Sequence, residues 1–163
     1  MIRQITPNDF DAIANIYNHY VSNSVISFEE IPVSTAEMKA RVNNVLTKGL
    51  PWLVAEKAGE VIGYAYACQW KLRSAYKNSV EVSVYLSHLK TSQGVGTALY
   101  ETLFEQLKGR FHTAIGGITL PNPASVALHE KFGMRKVAHF KEVGFKFEQW
   151  LDVGYWQVNI NPA

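Results

Sequence analysis

The chain has 163 residues, 47% of them apolar and 18% charged, with a formal net charge of +2. That length favours one domain with a sizeable core, and that balance excludes a disordered chain. The small charge, without a run of like charges, argues against nucleic acid as a partner.

At the N-terminus, MIRQITPNDF lacks the apolar core of a signal peptide. No stretch of the chain is long enough to span a bilayer, so a cytoplasmic protein without a membrane partner is expected. Thr6-Pro7-Asn8-Asp9 has the form of a helix start, and Phe10, Ile13, Tyr17, Tyr20 and Val21 recur at helical spacing, predicting a first helix to about Tyr20. STAEMKARVNNVLTKGLP predicts a second helix, with Ser34 and Glu37 as a capping box and Gly49 and Pro51 as the stop. WLVAE and VIGYAYACQ, joined by KAGE, read as a β-hairpin. The single cysteine, Cys68, excludes a disulfide framework and a cysteine-built zinc site, and reads as a buried, inert thiol. After the polar loop WKLRSAYKNS, VEVSVYLS is a strand rich in β-branched residues.

SQGVGTAL follows, placing two glycines one residue apart where the strand gives way to a helix lined by Leu99, Leu103 and Leu107, with Gly109 as its stop. TAIGGITL is a further strand, PNPASVALHEKFG a short capped helix ending at Gly133, and two strands near Arg135–Val143 and Gln149–Asn159 complete the chain. Helices and strands interleave without repeat or linker, so the expected class is α/β, one domain over residues 1–163, with a mixed sheet flanked by helices.

Three readings fit Gln93-Gly94-Val95-Gly96. It is a tight strand-to-helix turn, a nucleotide loop, or a pyrophosphate cradle on a helix N-terminus. Thr97, Ala98 and Leu99 after Gly96 satisfy neither G-x-x-x-x-G-K-[ST] nor G-x-G-x-x-G. In the third reading, backbone N–H groups approach phosphate oxygens because side chains are missing, and the helix dipole favours the charge.

VEVSVYLSHLKTSQGVGTALYETLF resembles the acetyl-coenzyme A motif of the GNAT superfamily of N-acetyltransferases. NHYVSNSVISF, PWLVAE, WKLRSAY, LPNPASVALHEKFG and GFKFEQWLDVGYWQ resemble, in the same order, segments of its phosphinothricin / methionine sulfoximine N-acetyltransferase group. The resemblance implies the single-domain GNAT fold, acetyl-CoA as co-substrate and no metal. It places the diphosphate on Ser92, Gln93, Gly94, Val95, Gly96 and Thr97, and the pantetheine arm along Val84, Tyr85 and Leu86, as a strand would pair. Asn122 and Ser125 resemble the family's pantetheine-binding pair, though Asn122 fits a plain helix cap equally well. One position departs from the motif. Thr91 stands where the family has Gln or Arg, which removes a side-chain contact that Lys90 replaces in charge but not in geometry.

Acetyl transfer to an amine needs a base, donors for the oxyanion and a proton for the leaving thiolate. Read from the residues alone, Glu81 is either an edge-strand acid facing solvent or a carboxylate costly to leave unpaired in an apolar strand. The resemblance places the family's general base on it, and partial burial would raise its pKa. It places the oxyanion donor on a backbone N–H near Leu86 and gives His129 a secondary acid/base and cofactor-binding role, against the plainer reading of a structural histidine. Lys71, Arg73 and Tyr76 form either a solvated loop or a grip on an anionic head group, with Phe28 and Tyr85 as an apolar wall beside Glu81.

The expected function is acetyl transfer to the α-amine of a small amino-acid analogue such as phosphinothricin, methionine sulfoximine or methionine sulfone, directly in a ternary complex. Acetylation of protein N-termini or other amines, and a non-catalytic acyl-CoA-binding domain, remain as alternatives. A homodimer is expected, with GYWQVNI as a reasonable contact surface.

Overall fold

The computed structural model describes residues 1–90 and 94–161. In chain order the elements are β1 (Ile2–Gln4), α1 (Phe10–Asn23), α2 (Thr35–Thr47), β2 (Trp52–Lys57), β3 (Glu60–Gln69), β4 (Ser79–Leu86), α3 (Val95–Leu107), β5 (Thr113–Leu120), α4 (Pro123–Lys131), β6 (Arg135–Lys146) and β7 (Gln149–Asn159). The strands form one sheet in the order β1-β2-β3-β4-β5-β7-β6. Every neighbouring pair is antiparallel except β4 and β5, which α3 connects as a crossover. The mixed α/β sheet expected from the sequence is therefore present.

Several boundaries move for identifiable reasons. The Asp9 carboxylate accepts from Thr6 N and Thr6 Oγ at 2.7 and 3.1 Å, closing a 3-10 turn over Pro7–Asp9. The first α-helix accordingly begins only at Phe10 and runs past Tyr20 to Asn23. The second helix keeps half of its capping box. Ser34 Oγ accepts from Glu37 N–H at 3.0 Å, but the Glu37 carboxylate turns to Arg41 at 3.2 Å. The β2–β3 turn is Ala58-Gly59 with φ of 51° and 79°, the left-handed pair that a two-residue hairpin uses. Strand β6 continues beyond Val143 through a bulge at Glu142, where φ is 51°.

The three-residue β1 strand was absent from the sequence reading. Its Arg3 guanidinium bonds Asp9 at 2.8 and 2.9 Å and Glu56 at 2.8 Å, fastening the N-terminus to the 3-10 turn and to β2. The Arg3 hydrogen bond holds the Asp9 carboxyl below its ordinary value of 3.8, against the opposing effect of burial. With the folded pKa depressed, this contribution is fully present above the ordinary value and is lost as pH falls through the folded one. The melting temperature of Asp9→Asn is expected to change less between pH 5 and pH 2 than that of the unaltered chain. Equal slopes for the two proteins would show that Asp9 carries none of the acid sensitivity.

Two layers of helix cover the sheet. Helix α3 buries Leu99, Leu103 and Leu107 on the face of Gly63, where a Cβ would meet Leu99 Cδ1 at 3.4 Å. Helices α1 and α2 cover the other face, where the Tyr17 ring meets Tyr85 edge-on with centroids 5.2 Å apart. Alternation along β4 puts Glu81, Ser83 and Tyr85 on this second face, with Glu81 directly across from Cys68 of β3.

Candidate active site

Strands β4 and β5 pair only over Ser79–Glu81 and Thr113–Ile115, then diverge. On β4, Ser79 O accepts from Trp70 N at 3.4 Å and Ser87 N donates to Ile62 O at 2.8 Å, so the odd-numbered residues turn their peptide groups toward β3. Val82, Val84 and Leu86 therefore turn theirs into the opening. The Tyr20 hydroxyl donates to the Leu86 carbonyl from α1.

Two adjoining cavities of about 60 and 200 Å³ occupy this opening and share Ile26, Val84, Tyr85, Asn122 and Ser125. The smaller is closed by Tyr100 and His129, the larger by Tyr20, Leu86 and Leu128. Beside them, Gly94 has φ +88° and caps α3, whose first helical bond runs from Ala98 N to Gly94 O at 2.9 Å. The N–H groups of Val95, Gly96 and Thr97 precede that bond and have no acceptor within the helix. The two glycines serve different ends. Gly94 supplies the left-handed turn, whereas a Cβ at Gly96 would lie 3.3 Å from Leu128 Cδ2 and 3.7 Å from Leu86 Cδ1. Thr91, Ser92 and Gln93 lie outside the described residues. An extended amide-bearing chain fits along β4, and a diphosphate fits the bare start of α3.

His129 is buried, and its position in the fold assigns its tautomer. Nδ1 lies 2.7 Å from the Ser125 carbonyl, to which it donates, and burial lowers the imidazole pKa, so Nε2 is the acceptor for the Tyr100 hydroxyl at 3.0 Å. Burial likewise raises the Tyr100 pKa, keeping that hydroxyl protonated. Asn122 Oδ1 accepts from Ser125 N at 3.2 Å, so the helix-cap reading of Asn122 holds, and its side chain also lines both cavities.

Glu81 is half-buried, and burial raises its carboxyl pKa while the charge of Lys71 lowers it. The structure thus brings Lys71 into the electrostatic field of Glu81, with its ammonium 4.8 Å from the centre of the Trp70 ring. Trp70 meets Tyr155 edge-on at 5.6 Å. Arg73 and Tyr76 are exposed on the 3-10 turn that follows. Phe28 is half-exposed and packs on Gly144 of β6.

The sequence shows no site role for Tyr100, Tyr20 or Ile26, although Tyr20 belongs to the helical spacing of α1. Tyr100 sits on the apolar stripe of α3 and reads there as an ordinary core aromatic. Only the placement of α3 against the open strand makes its hydroxyl a wall of the cleft. Among the described residues no group of three or more His, Cys, Asp or Glu is placed to hold a metal ion.

A strand pair that opens beside the bare N-terminus of a crossover helix accompanies a sequence match. The profile of the acetyltransferase (GNAT) domain matches residues 2–154. The chain belongs to the GNAT acetyltransferase family. It is 40% identical over 164 residues to the phosphinothricin N-acetyltransferase of Alcaligenes faecalis, covering 99% of this chain and 83% of that one. With the L-methionine sulfoximine/L-methionine sulfone acetyltransferase of Pseudomonas aeruginosa it shares 34% identity over 164 residues, 99% of this chain and 95% of that one. The crystal structure of a GNAT superfamily phosphinothricin acetyltransferase from Sinorhizobium meliloti in complex with AcCoA superposes with a TM-score of 0.95 at 36% identity, covering 99% of this chain and 88% of the other. As a GNAT enzyme, the protein is an acetyltransferase. No helix among the described residues is long and apolar enough to cross a membrane.

Proposed function

We propose that this GNAT enzyme transfers acetyl from acetyl-CoA to the α-amino group of a small amino-acid analogue, of the phosphinothricin, methionine sulfoximine or methionine sulfone type. The divergence of β4 from β5 just beyond Glu81 carries the reading, because it opens a cleft lined by Val82, Val84 and Tyr85 in the residues that directly follow a half-buried carboxylate. The names and the bound AcCoA of the relatives support the same donor and acceptor classes.

In this reading Val95, Gly96 and Thr97 offer their free N–H groups to the diphosphate and β4 pairs the pantetheine amides. The transfer runs directly within a ternary complex. Glu81, its pKa raised by burial, takes the amine proton directly or through one water. A β4 N–H near Leu86 holds the oxyanion, since Tyr20 already occupies the Leu86 carbonyl and leaves its N–H to the cleft. At the inner end the Tyr100 hydroxyl, which rests on His129 Nε2, turns to give the departing thiolate a hydrogen bond, and the sulfur takes its proton from water. Lys71 draws the acceptor's anionic group toward Glu81, with Arg73 and Tyr76 at the rim.

The enzyme acts as a homodimer in this reading. Within GYWQVNI, Gly154 and Trp156 are buried, Tyr155, Gln157, Val158 and Ile160 are partly exposed, and Asn159 is exposed. The β6–β7 hairpin at the sheet edge exposes a further set of apolar residues, Val137, Phe140, Val143, Phe145, Phe147 and Trp150.

A thiol-release assay over phosphinothricin, methionine sulfoximine, methionine sulfone and N-terminal peptides tests the acceptor class. Turnover of the three analogues is expected. Turnover of peptides alone would assign the enzyme to protein N-termini.

A further inference from the structure

The most buried cation of the described residues is unused by this chemistry. Lys146, at the end of β6, is 2% exposed. Its ammonium donates to the carbonyls of Val21, in the last turn of α1, and Ser27, in the loop between α1 and α2, at 2.8 and 2.7 Å. Burial pulls its pKa down, while Glu30 and Glu29 of the same loop oppose that shift. An ammonium held this way costs desolvation that an apolar side chain would not, so its two bonds fix a position at the expense of stability.

What those bonds fix is the loop over the cleft. Ile26 lines both cavities of the opening, one residue before Ser27. Phe28, one residue after, lies so close to β6 that a Cβ at Gly144 would fall 2.4 Å from its Cζ. Ser27 Oγ in turn bonds the Tyr17 hydroxyl at 2.8 Å, and Tyr17 packs on Tyr85 of β4. The loop is thus held from β6 on one side and from the cleft wall on the other.

We infer that Lys146, together with the bare Gly144 beside it, is a positioning residue that seats the Ile26–Phe28 loop as the roof of the acceptor pocket. This rests on the reading of the cleft as the site of acetyl transfer. It adds that the hairpin at the far edge of the sheet sets how the amine acceptor is held, without contacting the acetyl donor.

Lys146→Met keeps the length and volume of the side chain and removes the donors. With the two carbonyls unpaired and the roof loosened, KM for the amine is expected to rise about tenfold with kcat within about twofold, because a misplaced binding wall weakens acceptor capture. The affinity for acetyl-CoA, read by calorimetry, is expected to fall by less than the acceptor KM rises, because Ile26 borders the cleft along β4 while the diphosphate site at the start of α3 lies apart from this loop. Gly144→Ala leaves the ammonium in place but drives a methyl group into the Phe28 ring, and is expected to raise the same KM. The KM is measured on whichever amine the unaltered enzyme acetylates, so a failure of the amino-acid reading leaves this test standing. An unchanged acceptor KM in Lys146→Met would overturn the inference, and so would a parallel loss of kcat and acetyl-CoA affinity. Should Lys146→Met fail to fold, Gly144→Ala decides by the same two criteria.

Discussion

Glu81→Gln is expected to lower kcat by about a hundredfold to ten-thousandfold while acetyl-CoA binds as before, since a positioned base contributes on that scale. The amide keeps the size of the carboxyl and loses only the capacity to take a proton. Two accompaniments separate this from general damage. Burial has raised the carboxyl pKa above its ordinary 4.5, so kcat/KM of the unaltered enzyme falls on the acid side as the carboxylate protonates through that raised value, and the limb disappears from the residual activity of the variant. The second concerns stability. A carboxyl whose folded pKa is raised binds its proton more tightly in the folded state, so above that pKa the half-buried charge weakens the fold. Glu81→Gln removes the charge, and its melting temperature at neutral pH is expected to equal or exceed that of the unaltered chain. Full activity in the variant would remove Glu81 from the mechanism.

How far such residues can be read from sequence depends on whether their signal is local. The β2–β3 turn was legible because Ala58-Gly59 carries glycine in a left-handed position, and the equivalent turn of β6–β7 was not, because Phe147 and Glu148 take φ of 51° and 61° without any glycine. Strand β1 was lost because three residues show no alternation, and its place is fixed by Arg3 reaching Asp9 and Glu56 across the fold. In the site, Glu81 stood out as an acid in an apolar strand, and the two glycines at the start of α3 marked a junction. The difference between those glycines needed the neighbours Leu86 and Leu128, which belong to other elements. Lys146 was invisible for the same reason. On an exposed hairpin a lysine every few residues is ordinary, and only the carbonyls of Val21 and Ser27 give this one a role. The family resemblance supplied roles for Glu81 and His129 but not the direction of the His129 hydrogen bonds, which turns the imidazole into an acceptor.

Gly116→Ala is the corresponding test of that acceptor. Gly116 lies on β5 beneath His129, and a Cβ there would stand 2.6 Å from His129 Cδ2 and 2.7 Å from Nε2. Neither side has room to give. The imidazole is buried and fixed at Nδ1 by the Ser125 carbonyl, and β5 is paired along this stretch with β7, Gly116 opposite Trp156. Overpacking of this kind costs about 1–3 kcal/mol, and at about 2–4 °C per kcal/mol for a chain of this size the melting temperature should drop by several degrees. The methyl group meets the very nitrogen that accepts from Tyr100, so the ring can relieve the clash only by giving up that bond, which leaves the Tyr100 hydroxyl unpaired at the inner end of the cleft. Turnover should therefore fall by more than about tenfold, while acetyl-CoA affinity, set along β4 and at the start of α3, changes little. A normal melting temperature with normal turnover would mean that the imidazole moves freely, and a lowered melting temperature with normal turnover would mean that the Tyr100–His129 bond is architecture with no part in the reaction.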